Sequence, residues 1–165
     1  IVEWIMKLNS KNNKDIETSI FKVSEICKQN NLGFTETRKK VFELIIKYKK
    51  PIKAYEIIEE LWKVFDKTCH PPTVYRAIDF LIINGFIHKL NSINSYVGCF
   101  HPKDHEECYF LICKICNIYQ ECCDNDLKEN ILNTAQQNNF VISNTTLEIE
   151  GHCQDCANKW TQSMH

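Results

Sequence analysis

Glycine and proline are scarce, with four of each in 165 residues. Combined with 44% apolar and 25% charged residues, that scarcity argues against a disordered or low-complexity chain and for a packed core. No run is long and apolar enough to read as a membrane span. The opening IVEWIMKLNS, broken by Glu3 and Lys7, is too short and too polar for a secretory signal. The residues before Met6 fit sequence lying upstream of a start there. Internal repeats are lacking. So are the HExxH and HxE…PCxxC patterns of zinc hydrolases and deaminases, which argues against a metal that activates water. The expectation is a non-enzymatic protein of the reducing cytoplasm with no membrane partner.

Cysteine, by contrast, is plentiful, at ten residues. In a reducing compartment clustered cysteines usually mean metal rather than disulfides. Cys113-x2-Cys116 and Cys153-x2-Cys156 are separated by 36 residues. Each pair can set two thiolates on a tight turn and close half of a tetrahedral zinc shell. Together they predict a closed structural zinc site that ties a strand–helix–strand segment together. Two disulfides or a redox couple are the competing readings. A closed site performs no chemistry, so function must come from its surroundings.

Charge is unevenly spread. Residues 1–90 carry 16 Lys and Arg against 11 Asp and Glu, whereas residues 91–165 carry 4 against 10. A basic half joined to an acidic, Cys/His-rich half suggests a polyanion-binding module attached to a metal-binding one.

The basic half reads as helices. An apolar face of Ile16, Ile20, Phe21, Val23, Ile26 and Cys27 predicts a helix over roughly 16–30, broken by Gly33. Thr35 caps a second helix, with Val41, Phe42, Leu44, Ile45 and Ile46 near its buried side. Pro51 ends the basic run Lys47-Tyr48-Lys49-Lys50, and a third helix follows at about 54–65 with Ile57, Ile58, Leu61 and Phe65 in register. Pro71-Pro72 opens a fourth helix over 72–84, which Gly85 stops. Ala77, Ile78, Leu81 and Ile82 face inward there. Thr73, Tyr75, Arg76 and Asp79 face outward, where Arg can fork onto a guanine edge and Tyr or Thr can reach a phosphate. Residues 86–90 and 95–99 form two short strands around the turn NSIN. Helices followed by a hairpin describe a winged helix-turn-helix whose 72–84 helix reads the major groove of double-stranded DNA. A small helical bundle with a solvated Arg76 is the plainer alternative.

Between the hairpin and the strand after the first CxxC lie His88, Cys99, His101, His105, Cys108, Glu121, Cys122 and Cys123. Two imidazoles, one thiolate and one carboxylate make a four-ligand set that neutralises Zn(II), and the thiolate favours zinc over iron or manganese. His88, Cys99, His105 and Glu121 are the candidates for such a sensory site.

LGFTETRKKVFELI (32–45), KAYEIIEEL (53–61), PPTVYRAIDFLIINGFIHKL (71–90), NSYVGC (94–99) and the two CxxC pairs resemble the ferric uptake regulator family, and within it the zinc-uptake regulator branch. The resemblance covers nearly the whole chain after about residue 20. It implies an α+β fold, with an N-terminal winged helix-turn-helix domain followed by a small α/β dimerisation domain carrying the four-cysteine zinc site. It also implies a repressor that binds operator DNA as a zinc-loaded homodimer to control zinc-uptake genes. Cys113, Cys116, Cys153 and Cys156 match the structural zinc ligands. His88, Cys99, Glu121 and a histidine of HPKDH, with His105 preferred over His101, match the sensory ones, giving two zinc ions per chain. Tyr55 and Arg76 match residues that meet DNA, beside Thr73 and Tyr75. HPKDHEEC replaces the HHDH-like stretch of the iron-sensing members, and helix 126–139 lacks the histidine of a third metal site. A regulator sensing iron, manganese or peroxide is the alternative. The expected division is 1–92, a hinge at 93–98, and 99–165. In the last part a strand near 118–122, a helix over 127–139 capped by Asp126 and a strand over 141–153 are predicted. Cys108, Cys122 and Cys123 receive no role.

Overall fold

The computed structural model describes residues 13–48, 50–64, 69–99, 102, 108–143 and 145–162. Two compact units divide near Pro102 and Lys103. The first contains α1 (Asn13–Gln29), α2 (Glu36–Lys47), α3 (Ala54–Val64), α4 (Pro71–Ile83), β1 (Ile87–Leu90) and β2 (Ser95–Gly98). The second contains β3 (Cys108–Cys113), β4 (Tyr119–Cys123), α5 (Asn125–Gln137), β5 (Leu147–Gly151) and α6 (Gln154–Gln162).

In the first unit the apolar periodicity of four helices closes on one core. Val41, Phe42, Ile45 and Ile46 of α2 are buried against Ile57, Ile58 and Leu61 of α3 and Val74, Ala77, Ile78 and Leu81 of α4. Thr35 caps α2 as expected, its hydroxyl accepting from the Arg38 N–H at 3.4 Å. From α1, Ile16, Val23 and Cys27 enter the core, but Phe21 is 65% exposed and leaves the face assigned to it. The end of α1 also differs from expectation. Asn31, at φ 54°, takes the left-handed conformation, and the Leu32 N–H closes onto the Cys27 carbonyl at 2.8 Å. Such a reversal satisfies carbonyls the helix leaves open, so the helix stops before Gly33 is reached. Gly85, at φ 68°, ends α4 in the same way, with the Phe86 N–H on the Leu81 carbonyl at 2.8 Å. Phe65, expected on α3, lies outside the described residues.

The wing is larger than a hairpin. β1 and β2 pair antiparallel with Ile87 opposite Gly98 and Leu90 opposite Ser95. Ile52 joins β2 by a two-hydrogen-bond bridge to Tyr96, at 3.0 and 2.8 Å. β2 lies directly on α2: a Cβ built on Gly98 would stand 2.7 Å from Ile46 Cγ2, closer than side chains tolerate. Residues 95–98 form the second strand expected of the hairpin and belong to the first unit.

The second unit is a three-stranded sheet in the order β4-β3-β5, antiparallel between β3 and β4 and parallel between β3 and β5. A parallel pair needs a crossover, which α5 supplies. Asp124 caps α5 through its carboxylate, which accepts from the N–H groups of Asp126 and Leu127 at 2.9 and 3.3 Å, the role expected of Asp126. Among the described residues the long strand expected over 141–153 shortens to Leu147–Gly151, which pairs with β3 from Tyr109 to Cys113. The helix α6, absent from the sequence reading, follows at once.

Candidate metal centre and nucleic-acid interface

Cys113 ends β3, and the chain turns through Cys116 to Asn117, whose φ of 55° brings its N–H back onto the Cys113 carbonyl at 2.9 Å. Cys153 precedes α6 and accepts at its carbonyl from the Ala157 N–H at 2.9 Å, which places Cys156 in the first helical turn. The parallel pairing of β3 and β5 brings the two turns together, with the Lys114 N–H donating to the Gly151 carbonyl at 2.9 Å. One sulfur from each of the four cysteines lies within 4.8 Å of the others, and Cys116 Sγ stands 3.7 Å from Cys153 Sγ. Four Zn–S bonds of about 2.3 Å at tetrahedral angles put sulfurs about 3.8 Å apart, so the residues present fit zinc.

Electrostatics agree with that fit. Burial pushes the Cys113 thiol up, but backbone N–H groups of Cys153, Cys116 and Ile115 and the Cys116 thiol outweigh it and bring it down to about 6. Cys156 moves the opposite way, to about 12, through its contact with Cys153, burial, and the crowding of Cys116 and Cys113. Burial chiefly raises Cys116. Four thiolates this close repel one another unless a cation neutralises them.

His88 and Cys99 meet within the first unit. Cys99 follows β2 and donates its N–H to the Phe86 carbonyl at 3.0 Å, while His88 sits opposite Val97. Residues 86, 88, 97 and 99 therefore share one face of the hairpin. A ring nitrogen of His88 and the buried Cys99 sulfur lie within 4.8 Å of each other. Glu121 belongs to the second unit, on β4 opposite Phe110. His105 and its reserve His101 lie outside the described residues.

The chain has two arginines, Arg38 and Arg76. Arg38 is occupied: its guanidinium lies 3.7 Å from the centroid of the Phe80 ring and donates to the Gly33 carbonyl. Arg76 is exposed on α4, on the surface that also presents Thr73 and Tyr75, the latter 47% exposed. Tyr55 is 55% exposed at the start of α3. α3 and α4 stand as the helix pair of a helix-turn-helix, with α4 in the reading position. Nothing in the sequence pattern marks Ile52, whose bridge to Tyr96 anchors the wing, or Arg38, although the Phe80 that holds it lies four residues beyond Arg76.

A winged helix-turn-helix followed by a four-cysteine zinc knuckle on a small mixed sheet defines a class of metal-dependent DNA-binding regulators. Residues 29–150 match the Ferric uptake regulator family, and the chain belongs to that family. It is 34% identical over 134 residues to the zinc uptake regulation protein of Escherichia coli strain K12, an alignment spanning 80% of this chain and 77% of that protein. The same identity and coverage hold for the zinc uptake regulation protein of Shigella flexneri. The structure of a zinc uptake regulator complexed with zinc and DNA superposes with a TM-score of 0.84 at 29% identity, over 92% of this chain and 99% of that one. Holo XcZur superposes with a TM-score of 0.77 at 38% identity, over 84% and 96%.

Proposed function

We propose that the protein is a zinc-responsive transcriptional repressor that binds operator DNA as a zinc-loaded homodimer and controls zinc-uptake genes. The observation that carries this reading is the match, along most of the chain, to a zinc uptake regulator complexed with zinc and DNA. The four-cysteine cluster and the outward face of α4 supply the two chemistries that such a protein needs. The protein acts by binding rather than by catalysis, in the reducing cytoplasm, where its thiols persist.

Two zinc ions serve each chain. Cys113, Cys116, Cys153 and Cys156 hold the structural one, closed by four protein sulfurs with no position left for water. His88, Cys99, His105 and Glu121 hold the regulatory one. The proximity of His88 and Cys99 supports that assignment, and the thiolate among them favours zinc over iron or manganese. Thr73, Tyr75 and Arg76 of α4 enter the major groove, and Tyr55 meets the backbone beside it. Dimerisation uses the second unit. Leu111 and Ile149, register partners on one sheet face, are 38% and 45% exposed, and Phe140 and Val141 are 67% and 90% exposed. Exposed apolar side chains of this kind suit a surface that a second copy covers.

Regulation follows from the regulatory metal: zinc selects orientations of the DNA-binding units that fit the operator, and its release lets incompetent orientations dilute them. Cys99→Ser is expected to retain the structural zinc and the fold while losing zinc-dependent operator binding, read by fluorescence anisotropy beside metal analysis. Wild-type affinity with wild-type zinc dependence in that variant would refute the regulatory assignment.

A further inference from the structure

Cys108 and Cys123 have no part in either zinc set. They stand directly opposite each other at the ends of β3 and β4, with Cα atoms 4.3 Å apart, and the structure joins them as a disulfide. That spacing belongs to the close, non-hydrogen-bonded type of antiparallel pair, where facing side chains approach most nearly. Their alternation puts them on one sheet face with Glu121, and a carboxylate oxygen of Glu121 lies within 4.8 Å of both sulfurs. Cys123 is exposed and Cys108 half-buried, so small oxidants can reach the pair. The 15-residue separation between them encloses the Cys113–Cys116 turn.

From this geometry we infer that Cys108 and Cys123 form a reversible thiol–disulfide modification site for hydroperoxides, which locks the hairpin carrying Glu121 and the first CxxC turn. A permanent cross-link does not suit this unit. A compartment that kept this disulfide permanently closed would also join Cys116 and Cys153 before zinc reached them, since their sulfurs are 3.7 Å apart and are needed as zinc-binding thiolates. The pair must therefore work where thiols are the resting state and oxidation is an event.

The step balances with a hydroperoxide as oxidant. The thiolate of one cysteine attacks the O–H oxygen of the hydroperoxide, the O–O bond breaks, and the other oxygen leaves as alkoxide, or as hydroxide from hydrogen peroxide, so that the first sulfur carries a hydroxyl as a sulfenic acid. The second sulfur then displaces that hydroxyl, which departs as water, and the S–S bond forms. With hydrogen peroxide, two thiols lose two protons and two electrons in all, and the peroxide becomes two waters. A thiol reductant restores both thiols by exchange. Closing the loop removes freedom from the strand ends, so β4 amides exchange more slowly in the oxidised form.

This inference stands without the regulatory zinc assignment, since its readouts are a covalent bond and local exchange. The zinc-loaded full chain, purified under reducing conditions, is treated with hydrogen peroxide, digested without reductant and mapped by mass. The expected result is a Cys108–Cys123 linked peptide lighter by two hydrogens, reversed by a thiol reductant, with structural zinc retained. Amide exchange at residues 121–123 should slow roughly tenfold on oxidation, and Cys108→Ser should abolish that change. Three results would each overturn the inference: both thiols remaining alkylatable after peroxide, the four-cysteine site oxidising first with loss of zinc, or a further metal ion that is lost in Cys108→Ser. Differential alkylation of the wild-type chain alone decides the matter if the variant does not fold.

Discussion

Two arginines in one short chain are chemically equal until the fold assigns their surroundings. Arg38 spends its guanidinium on the Phe80 ring and the Gly33 carbonyl. Arg76 projects from α4 into solvent. A bidentate Arg–guanine contact is worth about 1–3 kcal/mol of discrimination. Arg76→Ala should therefore weaken specific operator binding by about 1–3 kcal/mol while leaving zinc content unchanged. Anisotropy titrations against operator and scrambled duplexes check this, and equal discrimination by variant and wild type would move the reading role elsewhere. The sequence pointed to Arg76 through its place after Pro-Pro-Thr. It could not show that Arg38 is withdrawn, because the aromatic that holds it lies 42 residues further on.

At the scale of elements, the closest constraint is the seat of β2 on α2. Gly98 lies against Ile46, with no room for a methyl group, and neighbouring Val97 and Cys99 are buried. Gly98→Ala must push the wing away from α2 or distort Ile46, and overpacking of this kind typically costs about 1–3 kcal/mol. A clear fall in thermal midpoint is expected, with α4 still folded in the circular dichroism of the variant. An unchanged midpoint would mean that the wing shifts freely on α2. Sequence pattern located these elements well, since their periodicity is local. Their ends were less legible. Asn31 rather than Gly33 reverses the chain after α1, because asparagine tolerates left-handed backbone almost as glycine does and carries no comparable signature.

For the whole molecule, the four-cysteine cluster links metal supply to fold through protons. Cys113, held near 6 against an ordinary 9.0, is already a thiolate at neutral pH, whereas Cys116 and Cys156 are raised and stay protonated. Zinc must therefore displace protons from at least those two thiols as it binds. The sign follows: with at least two protons released, zinc affinity at this site climbs with pH, by roughly hundredfold or more per unit between about 7 and 8. Competition against a chelator of known proton linkage at those two pH values checks this. A flat profile would mean that all four sulfurs enter as thiolates. Stripping this zinc should cost the second unit its fold, since structural zinc contributes on the order of 10 kcal/mol.

The sequence by itself determined the chemistry: which sulfurs pair as CxxC, which helix opens with Pro-Pro and carries Arg76, and where a His and a Cys flank a hairpin. These are properties of spacing along the chain, and spacing survives without coordinates. Tertiary structure alone decided which groups are spent and which remain available. Parallel pairing of β3 with β5 brought the two CxxC turns within reach of one ion. The β3–β4 register set Cys108 against Cys123, residues to which the sequence gave no role. Ile52 became part of the wing only through its bridge to Tyr96. Each of these depends on strand register, and register comes from burying one face of a sheet against residues distant in sequence.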